Sequence, residues 1–199
     1  MVPKSMAIFR INKDEYRNNV GELAIYYLDL CSLKSVRDCA KNLLTNETAI
    51  HILINNAGVG ALPYEKTEDG NEMTLQVNHL SHFLLTLLLL PKMQSSSPNC
   101  RIINIASLAY IGMGSDIVVI LKINWNVFHS CPGFLYNIQL LHKGLIIVAD
   151  IDFDDINLES SHSPFKRYAE TKLLNILFTK ELARRLKGMS KMEKSLIDR

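Results

Sequence analysis

Two kinds of apolar run alternate along this chain. Leu23-Ala24-Ile25-Tyr26-Tyr27-Leu28 is short and continuous, the pattern of a buried strand. Asp29-Leu30 ends it, and Ser32 can cap a helix running to about Leu44. Ile50 to Ile54 reads as a second strand, closed by the small, polar turn Asn55-Asn56-Ala57-Gly58. A helix is expected from near Thr67–Gly70 to about Met93, then a loop from Gln94 to Asn99. Arg101 to Ile105 is a third strand, with Ser107 just beyond it. The last clear element is helical. Ser163 suits its N-cap, Pro164 its first position, and apolar residues recur at 165, 169, 173, 176 and 177. Gly188 is expected to close it. Apolar strands alternating with long helices predict an α/β fold: a parallel sheet with helices on both faces. Ligands of such sheets bind at the carboxyl ends of the strands. Asp29, the Asn55–Gly58 turn and Ser107 all fall there.

Composition narrows the classes. The 199 residues suit one domain, and 48% hydrophobic content is ordinary for a globular protein. With 22 basic against 20 acidic residues, the net charge of +2 gives no case for nucleic acid as a partner. Cys31, Cys39, Cys100 and Cys131 show no metal-finger or C-x-x-C spacing, so they read as reduced thiols. His79 and His82 read as helical histidines, not as a metal pair, and no metal is expected. No uninterrupted apolar stretch reaches the roughly 18–20 residues of a membrane span, so no transmembrane segment is expected. The expected location is a reducing one, cytoplasmic or peripheral to an intracellular membrane.

The most informative spacing is Tyr168 to Lys172. On a helix, positions four apart share a face, which sets a phenol beside an ammonium. A fixed neighbouring cation favours an ionised phenol and suits it to proton exchange near neutral pH. Alone, such a pair is usually a solvated lysine beside a half-buried tyrosine. Its companions change that reading. In order along the chain stand Asn55-Asn56-Ala57-Gly58, Val77-Asn78-His79-Leu80, the strand-end Ser107 and Tyr168-x-x-x-Lys172.

Together these motifs resemble the short-chain dehydrogenase/reductase family, and in particular its retinol dehydrogenase-like branch. Phe83-Leu84-Leu85-Thr86 and Ile176-Leu177-Phe178-Thr179-Lys180-Glu181-Leu182 carry the branch likeness. The resemblance covers roughly residues 20–115 and 151–188. It implies a Rossmann-like doubly wound sheet and NAD(P)(H)-dependent interconversion of an alcohol and a carbonyl. The branch favours NADP over NAD and a retinoid or other lipophilic substrate. It implies that Tyr168 is the general acid/base, that Lys172 supports it and meets the cofactor ribose, and that Ser107 bonds the substrate oxygen. Asn78 would hold a water linking Lys172 to solvent. Asn55, Asn56, Ala57 and Gly58 would pack against the cofactor, and Asp29 with Leu30 would lie at its adenine. A capping or turn role for Asp29 fits its position equally well.

The chain also departs from the family pattern. No G-x-G-x-x-G or T-G-x-x-x-G-x-G occurs, so the glycine-rich phosphate turn is missing, as are the C-terminal strands. Residues 1–199 therefore read as a single truncated dinucleotide-binding domain, an incomplete doubly wound sheet. The family's sheet order puts two missing strands between those at 23–28 and 50–54. Between Ser107 and Tyr168 the chain is more than twice as long as the family's. The excess falls at about residues 117–150, with two β-branched runs and the only tryptophan, Trp125. Three readings stand: an unspliced or misassigned segment, a substrate lid, or strands that patch the exposed sheet edge. Two other classes remain beside the enzyme: an inactive interaction protein, and a non-functional fragment of a longer dehydrogenase.

Overall fold

The computed structural model describes residues 6–11, 22–60, 62–97, 100–107, 116–122, 151–160 and 162–197. Of 6–11, 22, 107, 116–122 and 187–197 it describes the backbone alone. Strands β1 and β2 span Met6–Ile11 and Glu22–Tyr27. Helix α1 is Leu33–Asn46 and β3 is Ile52–Asn55. Helix α2 runs Met73–Ser96 and contains a π-helical turn at Gln76–Leu80. Then come β4 at Arg101–Ser107, β5 at Asp116–Lys122 and α3 at Pro164–Ile197.

Capping chemistry sets the helix starts. The Ser32 hydroxyl accepts from the Ser35 N–H at the head of α1. Glu72 caps α2, its two carboxylate oxygens accepting from Thr74 and Leu75 N–H at 3.0 and 2.8 Å. The Ser163 carbonyl accepts from Arg167 N–H to open α3. Gly188 does not close α3, contrary to expectation; the helix continues to Ile197. One interior glycine costs only about 1 kcal/mol against alanine. The good helix formers around it, Lys187, Met189, Lys191, Met192 and Glu193, offset that.

The strands form two sheets. β3 and β4 are parallel, with Leu53 opposite Ile102 and Asn55 opposite Asn104. β5 pairs antiparallel with β4, so the run at 117–121 does extend the sheet; the run at 145–149 and Trp125 lie outside the described residues. β2 does not neighbour β3. It forms a separate antiparallel hairpin with β1, which satisfies backbone groups that the expected gap would leave open. The apolar pattern did not mark residues 6–11 as a strand.

The core lies where α2 and α3 meet one face of β3–β4, with α1 packed on α2 and β2. Val36, Leu43, Leu89, Met93 and Ile102 are fully enclosed there. Across the sheet, Ile52 and Ile54 are 49% and 57% exposed. The Tyr26 hydroxyl donates to Glu47 at the end of α1, joining strand to helix, and that bond pushes the phenol up to about 12. By length and mean hydropathy α2 could cross a bilayer, although no unbroken apolar run marks it in the sequence. Here it is a core helix, 67% of its apolar window being buried. Cys31, Cys39 and Cys100 are free thiols.

Candidate active site

The site is built around the turn that leaves β3. Asn55 points inward, its amide donating to Thr86 Oγ1 on α2 at 2.9 Å and to Asn104 Oδ1 on β4 at 2.7 Å. Asn55 therefore fastens the strand to its neighbours, and its side chain is buried. Beyond it the chain is irregular and partly open: Asn56 and Gly58 are exposed, Ala57 half-buried.

Asn78 grips this turn from the π-helical segment. Its Oδ1 accepts from Val59 N–H at 2.7 Å, and its Nδ2 donates to the Val59 carbonyl at 2.8 Å. The same Nδ2 lies 3.2 Å from Thr171 Oγ1 on α3, whose hydroxyl donates to the Tyr168 carbonyl. Asn175 donates to the Asn78 carbonyl at 3.1 Å. Asn78 is buried, and its side chain meets protein groups on every polar atom. A π turn puts such a side chain out of step with the helix around it, a feature frequent at functional sites.

Tyr168 and Lys172 stand one turn apart on α3, as the spacing predicted. The Lys172 ammonium lies 5.3 Å from the Tyr168 ring centre and 3.3 Å from the Ile105 carbonyl on β4. A Cβ added to Gly58 would come within 3.0 Å of Asn78 Oδ1 and 3.7 Å of Lys172 Nζ. One added to Gly60 would come within 3.3 Å of the Tyr168 ring. Asn78, the Gly58 turn, Tyr168 and Lys172 thus converge. Ser107 ends β4, two residues past the carbonyl that Lys172 bonds; its side chain lies outside the described ones.

Asp29 and Leu30, the residues expected at the adenine, make contacts within the protein. One Asp29 carboxylate oxygen accepts from Cys31 N–H at 2.9 Å, which is a turn role. The Leu30 side chain is in the core, and its carbonyl accepts from Ser81 Oγ at 2.6 Å.

Sequence reasoning missed two features. The first is a polar stripe inside each apolar helix. Asn78, His82 and Thr86 recur every four residues on α2; Thr171, Asn175 and Thr179 do so on α3. Buried polar groups at one helical spacing were the available signal. His79 Nδ1 meets Asn175 Oδ1 at 2.9 Å, and His82 Nε2 meets the Ala57 carbonyl at 2.8 Å. Both ring contacts are to protein groups. Burial pushes the His82 imidazole down to about 4, with the charges of Lys172 and His79 adding to it. Burial also lowers His79, against the Asn175 bond. The second feature is a buried ion cluster. Arg167 Nε lies 3.1 Å from Glu72 Oε2 and Nη1 lies 3.2 Å from Glu170 Oε2, all three side chains being at most 2% exposed. The Nε approach is off the N–H axis, so it is an ion pair rather than a hydrogen bond. Arg167 Nη2 donates to the Ile156 carbonyl at 2.7 Å, and Asn157 Oδ1 accepts from Glu72 N–H. The cluster ties the segment before α3 to the start of α2, one residue from Tyr168.

This arrangement on a partly parallel α/β sheet defines the class. Residues 9–116 match the family model described as short chain dehydrogenase, and the chain belongs to that family, in a retinol dehydrogenase-like part of it. It is 43% identical to human retinol dehydrogenase 14 over 86% of this chain and 40% of that protein. It is 40% identical to human retinol dehydrogenase 13 over 81% of this chain and 38% of the relative. Mouse retinol dehydrogenase 11 is 42% identical over 84% and 42%. The chain thus spans about two fifths of the length of these relatives. A crystal structure of an uncharacterised protein from Mycobacterium paratuberculosis superposes with a TM-score of 0.56 at 33% identity, covering 81% of this chain and 44% of that one.

Proposed function

We propose that this chain carries the acid/base half of an NAD(P)(H)-dependent oxidoreductase that interconverts an alcohol and a carbonyl. The observation that carries the reading is the convergence of the Lys172 ammonium on the Tyr168 ring and the Gly58 turn. Tyr168 would give a proton to a carbonyl oxygen on reduction and take it back on oxidation. Lys172, fixed at the Ile105 carbonyl, supports the charge that develops on the phenol. Ser107, at the end of β4, would donate to the substrate oxygen. Asn78 holds the Gly58 turn in place, and Asn56, Ala57 and Gly58 present its half-open surface.

A nicotinamide cofactor fits one end of this site. At Gly58 a side chain would meet Asn78 Oδ1 at 3.0 Å, so the bare backbone lies close to Asn78 with Lys172 Nζ 3.7 Å from the Cβ position, and a ribose would be held by Tyr168 and Lys172 beside this turn. When bound, that cofactor supplies the hydride chemistry. At the phosphate end no glycine-rich turn occurs in the sequence. The likeness to retinol dehydrogenases supports a retinoid or other lipophilic carbonyl as the substrate class, and NADP is favoured over NAD only by the branch resemblance. The β1–β2 pairing favours a second reading, because it gives β2 an antiparallel neighbour in place of the parallel strand that the family's sheet would set there. In that reading the chain keeps the acid/base site without turning over.

Assaying reduction of a lipophilic aldehyde at millimolar NADPH, in the chain and in Tyr168→Phe, separates these. A rate that Tyr168→Phe abolishes supports the enzyme. A rate that survives removes Tyr168 from the role. No rate in either protein supports the second reading.

A further inference from the structure

Three contacts fix the chain from Asn55 to Val59, and all come from one stripe of α2. Thr86 meets Asn55 at 2.9 Å, His82 meets the Ala57 carbonyl at 2.8 Å, and Asn78 meets both backbone groups of Val59. The helix residues step by four while the turn residues step by two in the opposite direction. Polar side chains at every fourth position of α2 thus meet alternate residues of the segment that leaves β3.

His82 is the middle rung. Its partner is a carbonyl, which only accepts, so Nε2 must carry the hydrogen. The ring is 7% exposed, and Nδ1 is buried with no partner among the described residues. The groups facing it from the packed elements are the Lys172 ammonium on α3 and the His79 ring on its own helix. A second positive charge beside Lys172 is disfavoured, and burial disfavours it further. A packing-only aromatic at this position would not need a donor, and it would leave the carbonyl of half-buried Ala57 without this bond.

We infer that His82 is a positioning residue for the cofactor-facing turn: as a neutral Nε2–H donor it fixes the Ala57 carbonyl, and with Asn78 it holds Gly58 against Lys172. The inference rests on the proposed function only for what the turn serves. Its geometry is testable without turnover, so failure of the enzymatic reading leaves it standing.

The test uses the full chain labelled with nitrogen-15. Histidine spectra between pH 6 and 8 should show His82 as the Nε2–H tautomer, with no titration in that range. The Nδ1–H tautomer or a charged ring overturns the inference. Amide hydrogen exchange is then compared in the unaltered chain, His82→Phe and His82→Gln. Phe keeps a ring without a donor; the Gln amide restores a donor near the Nε2 position. Exchange at residues 56–60 should rise at least tenfold in His82→Phe, while residues 85–93 of α2 change far less. His82→Gln should return the turn toward the original rates. Equal acceleration across the turn and α2, or no rescue by Gln, would reduce His82 to packing and overturn the inference. Should His82→Phe fail to fold, the Gln variant decides. Turn exchange within threefold of the unaltered chain supports the donor role, and tenfold faster exchange at 56–60 contradicts it.

Discussion

At Gly58 one added carbon has nowhere to go. Its Cβ would stand 3.0 Å from Asn78 Oδ1, an atom held by its own hydrogen bond to Val59. Gly58→Ala should therefore cost about 1–3 kcal/mol, as overpacking does. In the Asn78→Ala background the same change should cost much less, because the obstructing atom is gone. Urea unfolding of the four proteins in this cycle checks it, and strictly additive losses would contradict the contact. His82 makes a separate prediction about pH. An unfolded histidine titrates near 6.5, and folded His82 is pushed down to about 4. Between those values the unfolded chain binds more protons, so stability falls as pH drops from about 6.5 toward 4. Its share of the loss between pH 7 and pH 5 is roughly 2 kcal/mol, and His79 acts in the same direction. His82→Gln should lose correspondingly less over that interval in urea midpoints, and an unchanged pH profile would contradict the burial. Tyr168 and Lys172 were legible in the sequence because an i, i+4 pair needs only a helix to bring it together. Their neighbours at Gly58 and Asn78 come from distant segments, and only motif likeness placed those.

Among elements, the seam between the start of α2 and the start of α3 is held by charge. Arg167 offsets two carboxylates in a site with almost no exposure. Arg167→Met takes the guanidinium from Glu72, which keeps His162 at 3.8 Å, and from Glu170, which keeps the half-exposed Lys166 at 3.7 Å, and should cost about 3–5 kcal/mol. Lys34→Ala, which breaks the exposed Lys34–Asp38 pair, should leave the unfolding midpoint where it is. Equal effects would mean that the cluster is solvated. Helix starts were readable because Ser32, Ser163 and Pro164 act locally. The end of α3 was not, because glycine stops a helix only when the following residues favour leaving it, and Met189 to Glu193 do not. The Glu72–Arg167 pair had no sequence signal at all. Its members are far apart along the chain, and charged residues on a helix read as solvated until something packs on them.

At the scale of the whole molecule, the described helices cover only one face of β3–β4, not both as expected. The α/β class and the parallel β3–β4 pair were legible from alternating strands and helices. The β1–β2 hairpin was not, since antiparallel capping of an open strand depends on which partner is available rather than on periodicity. Leu23, Ile25 and Tyr27 on β2, and Ile52 and Ile54 on β3, all present large apolar side chains to solvent. Such faces promote association. Sedimentation velocity should show concentration-dependent self-association that Ile54→Lys reduces; a strict monomer at high concentration would contradict an open face.

On the proposed function, this chain holds the nicotinamide-ribose half of a cofactor site without a glycine-rich phosphate turn. Three charge-assisted hydrogen bonds at about 1.5 kcal/mol each correspond to roughly a thousandfold in affinity. Titrating the nitrogen-15-labelled chain with NADPH tests the claim directly. The expected result is weak binding, on the order of millimolar, with shift changes gathered at residues 56–60, Asn78, Tyr168 and Lys172. Saturation at micromolar NADPH, or shift changes that avoid those residues, would contradict it.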